Sequence, residues 1–348
     1  MAVAPVLLVV SHVGGGGIAP FWSFDLGLPS ERYLDHPSPT SGADLAYCFN
    51  YVHTSPMSTL PRRTTHYLGP ITDSSRWDAL DIRAGDVFIC TPPKCGTTWS
   101  QSITAMMIHG SPDLVASVHK TSPWLDSKTR PLHDLTETLD AQEHRRCIKT
   151  HTPLDGIIYD PRATYIAVYR HPLDVHFSMR DHVANMAIDE LDHLFPAGPR
   201  HDALMFINDH PPETDCDHLT LDSITRHYKT FKEWENLTNI HLFHYADMRA
   251  DLNGTMARFA DILGYAFDEN TMNALTEAVS FDAMRKNPAQ FAPAAGMGIF
   301  KDEARFFNSA SSGKWAKYLN DADMAQYGGR MDQLLGADDR RWLEFGST

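Results

Sequence analysis

The segment DVFICTPPKCGTTWSQSITAMMIHG, Asp86 to Gly110, restricts the fold more than any other part of the chain. Asp86 to Thr91 is a short apolar run that stops at Pro92 and Pro93, as a buried strand entering a loop does. Lys94, Cys95 and Gly96 make a turn. Thr97 to Gly110 then suits a helix opened by Thr and closed by Gly. Further strands are expected over Ala163–Tyr169 and Ile240–Tyr245, both β-branched and aromatic. Between them Ile224, Tyr228, Phe231 and Trp234 recur at helical spacing, and Leu252, Met256, Phe259 and Leu263 do so before Gly264. Strands alternating with helices imply an α/β fold with a central, mainly parallel sheet flanked by helices. From Asp181 to Leu221 the pattern dissolves into Pro, His and Asp, which reads as a long irregular excursion over a pocket.

The turn has the chemistry of an anion site. The first amides of a helix have no internal partners, and the helix dipole favours negative charge there. Gly96 permits close backbone approach, Thr97 and Thr98 add hydroxyls, and Lys94 adds a mobile cation. The pattern is not GxxxxGK[ST], because here Lys precedes the single Gly. Taken alone, an ordinary turn with a solvated Lys explains it equally well. Two further segments change that balance. Lys149–Pro153, KTHTP, follows a short β-like run and puts His151 at a strand end. Tyr169–Ser178, YRHPLDVHFS, puts Arg170 at a strand end and Ser178 on the next helix. Ligands of open α/β sheets sit outside the carboxyl ends of strands, so Lys94, His151 and Arg170 converge on one crevice.

Composition sets the frame for that crevice. A formal net charge of −14 over 348 residues argues against nucleic acid and anionic membrane surfaces as partners. An anionic ligand therefore needs a local basic site. No stretch approaches the roughly 20 apolar residues of a membrane span. The run MAVAPVLLVVSHVGGGG has no basic residue before its apolar part, unlike a secretory signal. Five scattered cysteines without a CxxC pair suit reduced thiols in a cytoplasm. Residues 1–56 are rich in Gly, Pro and Ser, and read either as an N-terminal extension or as an overlong gene product. Residues 57–348 read as a single domain.

These motifs, in this order, resemble the cytosolic-type sulfotransferases, especially the bacterial branch that includes mycobacterial glycolipid sulfotransferases. That family's loop PKSGTTW is PKCGTTW here, and its RxxxDxxxS segment is Arg170, Asp174 and Ser178. SPWLD, AQEHRRCIKTHTPLDG and FHYADMRADL also look like the bacterial branch, and the resemblance runs from about Trp77 to Leu319. It implies a P-loop-like phosphosulfate site for PAPS (3′-phosphoadenosine 5′-phosphosulfate) as co-substrate, with no metal. By that resemblance Lys94, Cys95, Gly96, Thr97 and Thr98 hold the 5′-phosphosulfate, and Trp99, Tyr245 and Phe281 border the adenine. Arg170, Ser178 and Gly313 take the 3′-phosphate. His151 is the general base and Lys149 stabilises the transferring group. The acceptor is a hydroxyl on a small molecule or lipid.

Two departures stand out. Cys95 replaces a family Ser, and a thiol at a helix N-terminus beside a lysine is expected to be acidified and reactive. The family's RKGxxGDW aligns with NSASSGKW, Asn308 to Trp315, so two cations are missing, with Lys301, Arg305 and Lys314 as candidate substitutes. A non-catalytic nucleotide-binding protein and a phosphotransferase stay open beside the sulfotransferase reading. Tyr245 and Phe281 read equally as core aromatics. So do Met186, Leu194, Phe195, Met205 and Phe206, which otherwise form an apolar entrance. His182, His193, His201, His210 and His218 show no metal-ligand spacing.

Overall fold

The computed structural model describes residues 60–188, 194–293, 296–307 and 311–347. Four parallel strands make its sheet: β1 (Val87–Cys90), β2 (Cys147–Thr150), β3 (Thr164–Tyr169) and β4 (Ile240–His244), in the order β2-β1-β3-β4. Cys90 lies level with Thr150 and with Ala167, which puts three strand ends side by side.

Parallel strands covered on both faces read as continuous apolar runs, which is why β1 and β3 show no alternation in sequence. Their side chains still alternate in space. Phe88, Cys90, Tyr165, Ala167 and Tyr169 join one apolar core, whereas Val87, Ile89, Ile166 and Val168 join another on the opposite face. The second core also takes Ile103, Met106 and Met107 of helix α1 (Thr97–His109) and Met256 and Phe259 of the helix Leu252–Leu263. The first takes Ile224, Tyr228 and Phe231 of the helix Leu221–Lys232.

The expected helices and strands form within a residue or two of the sequence reading. The excursion after Asp181 is more ordered than expected. The helix Pro172–Ala184 runs into it, and a further helix spans Pro199–Asn208. Pro199 reads as a breaker in sequence, but at the first helical position its missing N–H costs nothing. Ala203, Phe206 and Ile207 of that helix are buried in the first core. Phe206 is thus packing rather than entrance, while Leu194 and Met205 are exposed.

At the amino end of β1 and β2, Arg146 donates from Nε to Asp86 Oδ1 over 2.9 Å and from its terminal nitrogen to the Asp81 carbonyl over 2.7 Å. Both members of the Arg146–Asp86 ion pair are 1% exposed.

Candidate active site

The chain leaves β1 through Pro92 and Pro93 and turns at Lys94, a non-glycine residue with φ of 66°. Gly96, with φ of 107°, caps α1. A Cβ added there would sit 3.1 Å from the Tyr245 ring, so the close approach needs glycine as much as the backbone angle does. Thr97 Oγ1 lies 2.6 Å from Thr91 Oγ1, tying the two ends of the turn together.

The end of β2 is held by one carboxylate. Asp126 Oδ2 accepts from Thr150 Oγ1 at 2.6 Å, Thr152 Oγ1 at 2.7 Å and Trp77 Nε1 at 3.0 Å. Thr150 and Thr152 point one way because strand side chains alternate, which turns His151 the other way. Its ring approaches the Thr91 carbonyl through Nδ1 at 2.6 Å. A carbonyl only accepts, so Nδ1 carries the proton and Nε2 keeps its lone pair. Burial, followed by the charge of Lys149, pushes the imidazole well below its ordinary value, so it is neutral near pH 7.

Trp124 organises the other side. Lys149 Nζ stands 4.1 Å from the centre of its ring, and the His151 ring packs against it at 4.7 Å. Lys94 Nζ lies 4.8 Å from the centre of the Phe306 ring. Burial and then the charges of Arg170 and Lys149 push Lys94 down to about 7, and burial pushes Lys149 down to about 8. Arg170 stacks on Tyr245 at 4.6 Å and donates to the Ser311 carbonyl at 3.1 Å. Its Nε is buried without a hydrogen-bond partner among the described residues. Lys94 and Lys149, both lowered by burial, stand with Arg170, whose charge lowers Lys94 further; such a group of cations makes a site for a polyanion.

A family model described as "Sulfotransferase domain" matches residues 84–337. This chain belongs to the sulfotransferase family, and it is a sulfotransferase. A glycolipid sulfotransferase of Mycobacterium bovis (strain BCG / Pasteur 1173P2) is 36% identical over 307 residues, covering 80% of this chain and 94% of that protein. One of Mycobacterium tuberculosis (strain ATCC 25177 / H37Ra) is 37% identical over 306 residues, with the same coverage. Among solved structures, retinol dehydratase in complex with androsterone and inactive cofactor PAP has a TM-score of 0.62 at 19% identity, covering 76% of this chain and 87% of that one. A mouse sulfotransferase complexed with PAP has a TM-score of 0.58 at 19% identity, covering 77% and 91%. These two likenesses show the fold.

The sulfotransferase brings Lys94, Lys149, His151 and Arg170 to adjoining strand ends. Trp99 donates to the Val279 carbonyl at 2.8 Å and packs on Tyr245 at 5.7 Å, with Phe281 opening the helix just after Val279. Ser178 lies on the helix Pro172–Ala184, one turn after Asp174. Gly313 is placed differently from the expectation of a free phosphate donor. Its amide is bound by Asp174 Oδ1 at 2.7 Å, because the stretch Ser311–Lys314 is strapped to that helix, with Lys314 on Asp181 at 2.5 Å. Of the substitute cations, Lys301 donates to the Ala184 carbonyl at 3.2 Å. Asn308, Ser309 and His193 lie outside the described residues, as do residues 1–59.

Cys95 departs furthest from its reading. Its side chain is 0% exposed and belongs to the first core, and burial pushes the thiol up to about 12. The helix terminus acts on the backbone of this residue, while the sulfur faces away from it into apolar packing. Trp124 and Asp126 were visible only as part of SPWLD. Their roles depend on contacts with β2 that no local pattern encodes.

Proposed function

We propose that the enzyme takes its sulfuryl group from PAPS and passes it to a hydroxyl of a small molecule or lipid, with His151 as general base. The observation that carries this reading is the meeting of Lys94, Lys149 and Arg170 with an imidazole whose Nε2 is unprotonated. The donor supplies an activated sulfuryl group on a phosphate leaving group. Lys94, at the turn with the amides of Gly96, Thr97 and Thr98, stabilises negative charge arriving on that phosphate. Lys149 faces the same space from β2. His151 takes the acceptor proton at Nε2, and its Nδ1–H bond to Thr91 holds the ring in position for this.

Arg170 suits the 3′-phosphate, since its buried Nε lacks a partner among the described residues and Ser178 follows on the adjacent helix. Trp99, Tyr245 and Phe281 suit an adenine. PAP in two structural relatives, and the names of the mycobacterial relatives, support the donor and a lipid-linked acceptor respectively. A cytoplasmic location belongs to the same reading. No helix among the described residues is long and apolar enough to cross a membrane.

The test uses sulfur-labelled PAPS with host-cell extract, and PAP binding by calorimetry. His151→Ala should lower turnover by about 10²- to 10⁴-fold while PAP still binds. Near wild-type turnover by that variant would remove His151 from the mechanism. Equal affinity of the wild-type enzyme for PAP and 5′-AMP would remove PAPS as the donor.

A further inference from the structure

The helix Pro172–Ala184 carries Asp174, Ser178 and His182 at intervals of four residues, so the three share one face. Asp174 sits beside Arg170, and His182 is in the last turn, two turns or about 12 Å further along. Its ring packs against Phe300 at 5.4 Å and Phe306 at 5.7 Å between ring centres. Phe306 is also the ring under Lys94. The charges of Lys94 and Lys149 both act on His182, after burial, to hold it well below its ordinary value. It therefore faces the reaction centre, not the irregular surface loop that the sequence implies. The segment bearing the two phenyl rings is fixed in place. The Ala187 amide donates to the Ile299 carbonyl and the Lys301 amide to the Asn185 carbonyl, each over 2.8 Å.

The ring nitrogens of His182 have no hydrogen-bond partner among the described residues. The centre thus holds two neutral imidazoles, and the sulfuryl transfer proposed above uses one of them. We propose that His182 is an acceptor-selecting residue, which hydrogen-bonds a second hydroxyl of a polyhydroxylated acceptor while its neighbour reacts at His151. The flat rings of Phe300 and Phe306 packed against the His182 imidazole, with Trp124 against His151 in the same centre, suit a sugar ring, which has apolar C–H faces and an edge of hydroxyls. A site built to bond a hydroxyl discriminates strongly against an acceptor lacking it. This selectivity rests on the sulfotransferase reading of the site, though not on the identity of the donor.

The experiment compares octyl glucoside with 1-octanol, which share a chain and differ in the sugar. In His182→Phe, which keeps the ring packing, the ratio of kcat/KM for octyl glucoside over that for 1-octanol should fall by about tenfold or more, mainly through KM. His182→Gln, which keeps a hydrogen-bonding end, should recover part of that ratio. Donor-free binding of octyl glucoside, followed by tryptophan fluorescence, should weaken in His182→Phe by a similar factor. An unchanged ratio, an equal loss on both acceptors, or a wild-type enzyme that does not bind octyl glucoside would overturn the assignment. PAP titration of the same three proteins reads the donor site separately, and a failure there condemns PAPS without touching the fluorescence result.

Discussion

At the amino end of β1 and β2, Arg146 meets Asp86 in a fully buried ion pair and also bonds the Asp81 carbonyl. At the carboxyl end, roughly 13 Å away along strands that rise about 3.3 Å per residue, Lys94, Lys149 and Arg170 crowd together. Among the described residues none of these three has a carboxylate oxygen within 4.0 Å. The same sheet thus neutralises a buried cation at one end and leaves three to repel one another at the other. Burying charge without a partner is costly, so an arrangement of this kind persists where a ligand completes it. On the function proposed above, the paired end serves folding and the unpaired end serves binding.

The contrast can be broken most severely at the paired end. Arg146→Met leaves Asp86 buried without its partner and should cost about 3–5 kcal/mol in urea unfolding. Replacing both, as Asp86→Leu with Arg146→Met, should recover most of that loss, because an apolar pair of similar volume needs no compensation. A double variant as unstable as the single one would mean that the bond to Asp81, not the ion pair, is what the fold needs.

The unpaired end should behave in the opposite sense. Lys94→Met and Lys149→Met should unfold at the same temperature as wild type or higher, and bind PAP about 10- to 100-fold more weakly. The sign follows from the lowered folded-state values of about 7 and about 8. Both lysines bind fewer protons folded than unfolded, so the unliganded fold loses stability as pH falls from above 10 towards 7. A bound polyanion reverses this by favouring the charged forms. PAP binding at pH 8.5 should therefore take up about one to two protons, and at pH 6 almost none. Calorimetry in buffers of different ionisation heat measures that uptake, and a pH-independent value would show that the cations do not face the anion.

How much of this was legible follows the same division. PKCGTTW, KTHTP and YRHPLD each sit within a few residues of a strand end, so local pattern was enough to place Lys94, His151 and Arg170 at one crevice. The apolar runs gave β1, β3 and β4 with boundaries within a residue or two. Trp124, Asp126 and His182 were not legible as site residues. Each reaches the site through a partner distant in sequence: Trp124 beside Lys149, Asp126 under Thr150 and Thr152, His182 against Phe300 and Phe306. The helix Pro199–Asn208 was hidden by a proline that only its position makes harmless. Cys95 was misread because the motif fixes its backbone and says nothing of where its sulfur points.

That sulfur provides the smallest expected effect and a clean check on the division between the two regions. Cys95 belongs by sequence to the charged end and by packing to the neutral core. If the packing governs, the thiol stays protonated near neutral pH, since burial holds it at about 12 against the opposing charge of Arg170. Reactivity requires both thiolate and access, and this site offers neither. Iodoacetamide should then leave turnover essentially unchanged in native wild-type enzyme, with or without PAP. Among the described residues Cys90, Cys147 and Cys216 are buried as well, which removes them as alternative targets, and Cys48→Ser, at a position outside those residues, controls for the fifth thiol. Cys95→Ser should retain activity, at a cost of about 1 kcal/mol or less, because the Arg170 backbone that bonds the sulfur can bond a hydroxyl instead. Inactivation that PAP prevents and Cys95→Ser abolishes would place the thiol in the anion site, and the turn would then open far enough in solution to expose it.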